Sequence, residues 1–173
     1  MDTAAPRTLI VMRHAKAEQW GPDDFGRQLA ERGRRDAAAA GQWMAATGLC
    51  PDHALVSGAV RTSETFDHVV RGAGWDLEPE LSRPLYAADV DSALDLIRLT
   101  DGDVRALLVV GHNPTVAYLA QLLDDGEGDA AASAELIGGT YPTSALTTFD
   151  LEYSWRDLAA GRATVRGYHV GRG

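Results

Sequence analysis

Arg13-His14 near the start of the chain, Arg61 further on and His112-Asn113 late are the residues best suited to act together on one substrate. A phosphoryl group presents three anionic oxygens around an electrophilic phosphorus. Paired guanidiniums can clamp the oxygens, a neutral imidazole can attack phosphorus, and a second imidazole can donate a hydrogen bond to the developing charge. No one of these residues identifies a site. What matters is whether the elements that carry them end in one place.

Three short apolar runs are the candidates to bring them there. Leu9 to Met12, bounded by Thr8 and Arg13, has the length of a buried strand rather than a helix and delivers Arg13 and His14 at its end. Leu107 to Val110 is a second such run, followed by Gly111-His112-Asn113-Pro114. Asn113 is expected there as the N-cap and Pro114 as the first residue of a helix whose free amides favour anions. Leu55 to Ser57 is a third strand, and Arg61 follows in a helix expected to begin near Ala59. In an open α/β sheet, ligands occupy the crevice beyond the carboxyl ends of the strands, so three strand ends would supply two histidines and two arginines to one crevice. Glu64, three residues after Arg61, is expected to steady its guanidinium.

The rest of the chain reads as connecting structure. Residues 1–7 form a lead-in, and Ala15 to Gln28 is turn-rich and reads as a loop across the mouth of the site. Leu29 to Thr47 is helical, with Ala37, Ala40 and Met44 on one face and Gly48 as its stop. A short strand is expected within Trp75 to Leu81, loop from Ser82 to Ala88, and helices over Asp91 to Leu99 and Thr115 to Leu123. Asp124 to Gly139, rich in Gly, Asp and Ala with no apolar period until Leu136, reads as a mobile, irregular segment. Ala145 to Leu151 and Ala163 to Val170 are expected strands flanking a short helix or turn. His53, His68 and His169 receive no catalytic role, and Cys50 is expected half-buried near a helix end.

With 173 residues, 45% apolar and 24% charged, the chain suits a single domain spanning 1–173, and no repeat or linker divides it. A net charge of −9, with Lys16 the only lysine, offers no basic stripe for nucleic acid. One cysteine excludes a disulfide framework, and no apolar run approaches the ~20 residues of a membrane span, so a cytoplasmic protein without a membrane partner is expected. It is expected to be a monomer or weak dimer.

The order Met12-Arg13-His14-Ala15, then Val56-Ser57-Gly58-Ala59-Val60-Arg61-Thr62-Ser63-Glu64-Thr65, then Val110-Gly111-His112-Asn113-Pro114 resembles the histidine phosphatase superfamily, also called phosphoglycerate-mutase-like. The short chain, Arg-His-Ala in place of Arg-His-Gly, Arg27-Gln28-Leu29 leading into Glu31-Arg32-Gly33, and Thr143-Ser144-Ala145 are similar to the bacterial phosphohistidine phosphatases. The resemblance implies one three-layer α/β domain with a mostly parallel central sheet and helices on both faces. It also implies a phosphatase without cofactor or metal, in which His14 forms a phosphohistidine, Arg13 and Arg61 hold oxygens, and His112 donates to the same charge. Arg27 and Asn113 would contact the substrate, although Arg27 also reads as a surface cation before a helix. A metal held by His14 and His112 with an aspartate is the competing reading; adjacent arginines would repel the cation, and no helix offers two ligands at metal spacing.

The larger relatives carry a glutamate acid after the middle of the chain. The stretch Glu80-Leu81-Ser82-Arg83-Pro84-Leu85-Tyr86 does not match it, which leaves Glu80 and Asp89 as the candidates. An alkoxide, whose conjugate acid sits near the ~15.7 of water, needs a proton as it leaves, whereas an imidazole with a conjugate acid near ~6.5 needs far less help. A phosphohistidine protein is therefore the expected substrate. A small phosphorylated metabolite is the first alternative, and a non-catalytic module that binds phosphorylated partners is the second; a module has no use for His14 as nucleophile.

Overall fold

The computed structural model describes residues 6–173; residues 1–5 of the expected lead-in lie outside them, and Arg7 already belongs to the first strand. That strand, β1 (Arg7–Arg13), has Leu9, Ile10, Val11 and Met12 fully buried, as an all-apolar run must be when both faces of a sheet are covered. In chain order follow α1 (Glu31–Ala46), β2 (His53–Ser57), α2 (Val60–Ala73), β3 (Glu80–Ser82), α3 (Arg83–Tyr86) and α4 (Val90–Arg98). Then come β4 (Ala106–Gly111), α5 (Thr115–Leu123), α6 (Ala130–Gly138), β5 (Ala145–Leu151), a single 3₁₀ turn at Trp155–Asp157, and β6 (Thr164–Val170).

The strands form one sheet in the order β3-β2-β4-β1-β5-β6. β3, β2, β4 and β1 run parallel, β5 is antiparallel to β1, and β6 is antiparallel to β5. Side-chain alternation divides the core in two. Leu9, Val11, Leu107 and Val109 pack with α4, α5 and α6, whereas Ile10, Met12, Leu108 and Val110 pack with α1 and α2. The result is the expected three-layer α/β domain. On the second face α1 and α2 touch backbone to backbone. A Cβ on Gly41 would lie 2.0 Å from the carbonyl oxygen of Val69, and one on Gly72 2.1 Å from that of Ala38.

Several local expectations are corrected. Asp124 to Gly139 is not wholly irregular: α6 forms, capped by Asp129, whose carboxylate accepts the Ala132 N–H at 2.8 Å. Only Ala132 and Leu136 of α6 are buried, and that spacing is too sparse to show as a period. Residues 82–88 contain α3, started by Ser82 accepting from the Leu85 amide, with Pro84 in its first turn. Strand structure in the stretch 75–81 is confined to its end, at β3. Asn113 is not an N-cap, because α5 begins at Thr115 with Pro114 in the cap position, and Asn113 turns its amide elsewhere. Cys50 is exposed, not half-buried. Among the described residues no helix is long and apolar enough to cross a membrane.

Candidate active site

The parallel register of β1 on β4 pairs Arg13 with Gly111, so the residues that follow each strand emerge side by side. The His14 amide donates to the Gly111 carbonyl at 3.0 Å, and the rings of His14 and His112 stand 5.3 Å apart. Strand β2 pairs with β4 on its other edge and ends at Ser57, whose Oγ lies 2.7 Å from Nε2 of His112. Three adjacent strand ends thus meet at one point, as the sequence led us to expect.

The first turns of α2 tie this point together, each polar side chain reaching a different segment. Thr62 Oγ1 donates to the Ser57 carbonyl at 2.6 Å. Thr65 Oγ1 accepts the Ala15 amide at 2.9 Å, fixing the residue after His14. Glu64 does not hold Arg61; its carboxylate instead accepts the Leu29 amide at 2.6 Å, anchoring the far end of the mouth loop. Arg61 is held by Asp24, its Nη1 donating to the Asp24 carbonyl at 2.7 Å and its Nη2 to Oδ2 at 3.1 Å.

Asp24 is the junction of the mouth loop. Its Oδ1 accepts from Arg27 Nε at 3.1 Å and Nη2 at 2.9 Å, while its Oδ2 also accepts from the Tyr86 hydroxyl at 2.6 Å. Arg27 additionally donates to the Glu18 carbonyl. The loop therefore presents Arg27 beside Arg61, and Phe25 packs edge-on against Tyr86. On the opposite wall the Tyr141 carbonyl receives both Arg13 Nη1 at 3.2 Å and Asn113 Nδ2 at 2.9 Å. Tyr141 and Ser144 hold φ of 47° and 64°, a conformation non-glycine residues adopt at a cost of about 1–3 kcal/mol. The buried Tyr141 hydroxyl, bonded to the Val11 carbonyl, and the Ser144 amide, bonded to the His14 carbonyl, keep that segment in place.

Arg13, His14, Arg27, Arg61, His112 and Asn113 all line one cavity of about 250 Å³, together with Lys16 and Thr143. Buried in this lining without a partner in the protein are Nε of Arg13, Nε of Arg61, Nδ1 of His112 and Oδ1 of Asn113. Buried donors are seldom left unmade, so the two guanidinium N–H groups call for acceptor oxygens that the protein does not supply. His14 Nδ1 stands 2.7 Å from the Ala15 carbonyl. A carbonyl only accepts, so Nδ1 carries the proton and Nε2 keeps its lone pair. Burial, reinforced by His112, Arg61 and Arg13, lowers the His14 pKa to about 3; burial and Arg61 lower that of His112 to about 4. Both rings are neutral at pH 7.

The two acid candidates lie outside this arrangement. Glu80 pairs with His53 at 2.8 Å, toward the opposite end of β2, and Asp89 caps α4 by accepting the Ser92 amide. His169 stacks on Trp43, which fits a packing role. The residues that sequence reasoning missed are Ser57, Thr65, Asp24, Tyr86 and Tyr141. Ser57 and Thr65 lie inside the strand-to-helix segment already singled out, and Asp24 stands three residues before Arg27; Tyr141 carries no sequence signal.

No family model matches the chain. It is 38% identical over 162 residues to an uncharacterised protein of Mycobacterium tuberculosis, covering 93% of this chain and 100% of that one. It is 31% identical over 124 residues to a phosphohistidine phosphatase SixA homologue of Haemophilus influenzae, covering 64% of this chain and 73% of the relative. Among solved structures, the putative phosphohistidine phosphatase SixA from Nakamurella multipartitia superposes with a TM-score of 0.84 at 29% identity, over 98% of this chain and 99% of that one. The shared strand-end geometry and these likenesses agree: the chain belongs to the histidine phosphatase superfamily, in the branch of the SixA phosphohistidine phosphatases.

Proposed function

We propose that the protein hydrolyses phosphohistidine on a partner protein, in two steps and without a metal. His14 Nε2 attacks phosphorus in line, the new P–Nε2 bond forms as the substrate's P–N bond breaks, and the substrate imidazole, already protonated on its other ring nitrogen, takes the electron pair and departs as a neutral ring. Water then attacks the phosphoenzyme, the P–Nε2 bond breaks, and phosphate leaves with His14 restored. Arg13 and Arg61 hold oxygens through the phosphorane-like geometry, Arg27 and Asn113 contact the same group, and His112 donates to the developing charge. The guanidiniums carry the positive charge that Mg²⁺ supplies elsewhere.

The observation that carries this reading is the pair of buried Nε–H groups of Arg13 and Arg61 without an acceptor in the protein, on residues that line the same cavity as His14 and His112. The leaving group is inferred from what surrounds the cavity. Glu80 and Asp89 are engaged elsewhere, and Asp24, the carboxylate bonded to Arg27 and Arg61, is held well below the usual carboxylate range by the Tyr86 hydroxyl and those arginines. Tyr86 is in turn pushed up by its bond to Asp24. Neither readily gives a proton to an alkoxide, whereas an imidazole leaves with little help.

The test is a comparison of kcat/KM, in the presence of EDTA, for a phosphohistidine peptide and for sugar phosphates. The peptide is expected to be cleaved at least about a hundredfold faster, a margin in line with the usual contribution of a general acid that only the sugar esters need. A reversed ranking would make the protein a small-molecule phosphomonoesterase, and binding without turnover of either would make it a phospho-ligand module.

A further inference from the structure

His14 and His112 differ in what holds their second nitrogen. The partner of His14 is a carbonyl, which leaves its tautomer no freedom. The partner of His112 Nε2 is the Ser57 hydroxyl at 2.7 Å, which can either donate or accept. Ser57 is fully buried at the end of β2, with its carbonyl pinned by Thr62. Nδ1 of His112 is buried without a partner in the protein, and the ring lines the cavity beside His14.

If Nε2–H donated to Ser57, Nδ1 would offer a lone pair to anionic oxygens, a repulsive contact. We infer that the Ser57 hydroxyl donates to Nε2 of His112 and so holds the ring as its Nδ1–H tautomer, with that N–H directed to the transferring phosphoryl group. Ser57 is then a positioning residue that acts through His112. A carbonyl in its place would enforce the opposite tautomer, because it could only accept. The two histidines thus work through opposite nitrogens, Nε2 of His14 for attack and Nδ1 of His112 for stabilisation. The inference rests on phosphoryl transfer at this site and is independent of which leaving group departs.

The experiment is two-bond ¹H–¹⁵N correlation NMR of histidine-labelled enzyme with inorganic phosphate or vanadate bound, alongside kinetics on p-nitrophenyl phosphate. His112 is expected to be protonated at Nδ1, with Nε2 showing a pyridine-type shift. Ser57→Ala should lose that signature and lower kcat about tenfold, the value of one hydrogen bond, with KM moved less than about twofold. Ser57→Thr, which keeps the hydroxyl, should retain the signature. Protonation at Nε2 in the phosphate-bound wild type, which needs no variant to observe, would overturn the assignment, as would an unchanged tautomer and kcat in Ser57→Ala. No anion-induced change at either histidine together with no hydrolysis would overturn phosphoryl transfer at this site, and the assignment with it.

Discussion

At the scale of single residues, the site depends on histidines kept neutral by burial among arginines. Their pKa values, about 3 for His14 and about 4 for His112, lie below the 6.5 of a free imidazole. Between those limits the unfolded chain binds protons that the folded chain refuses, so stability must fall as pH drops from about 6.5 toward 4. Urea midpoints at pH 7 and pH 4.5 should show this loss, and His14→Ala should reduce it; a midpoint indifferent to pH in the wild type would contradict the burial argument. An NMR titration should find both rings uncharged at pH 5.5. The placement of Arg13, His14, Arg61 and His112 was legible because each ends or directly follows a strand or lies in the first turn of a helix, where sequence patterns are clearest. Asp24 was not, since its partners Arg61 and Tyr86 come from segments far along the chain.

At the scale of elements, the mouth loop lacks a helix or named strand of its own and is fixed by side-chain ties. It is held by Asp24 to α2 and α3, and by the Glu64 carboxylate at Leu29. Asp24→Asn removes the charge that keeps Arg27 and Arg61 side by side. KM for a phosphohistidine peptide should rise about tenfold with a smaller change in kcat, and the Glu18 amide, bonded to the Gln28 carbonyl, should exchange faster. An unchanged KM with unchanged exchange would show that the loop is fixed by other means. Helices with a dense apolar face, α1, α4 and α5, were readable from the sequence. α6 was not, because alanines and one buried leucine specify its inner face weakly and its Asp129 cap resembles ordinary loop composition. Glu64 misled for a related reason: helical spacing placed it near Arg61, but tertiary contact with Leu29 took its carboxylate.

At the scale of the whole molecule, the four parallel strands put their carboxyl ends on one edge, and two separate cores hold the sheet rigid between its helix layers. The side with α1 and α2 depends on glycine at their crossing. Gly41→Val would drive side-chain atoms into the Val69 carbonyl, and overpacking of this kind costs about 1–3 kcal/mol. A fall in Tm of about 5 °C or more is expected by calorimetry, and a Tm within about a degree of wild type would mean the helices can separate freely. The proposed reaction stands on His14, at this edge, as the nucleophile. Mass spectrometry of enzyme quenched in alkali within milliseconds of mixing with a phosphohistidine peptide tests it most directly. One phosphoryl group on His14, absent in His14→Ala, is the expected result; full turnover by His14→Asn with no phosphoenzyme formed would contradict it.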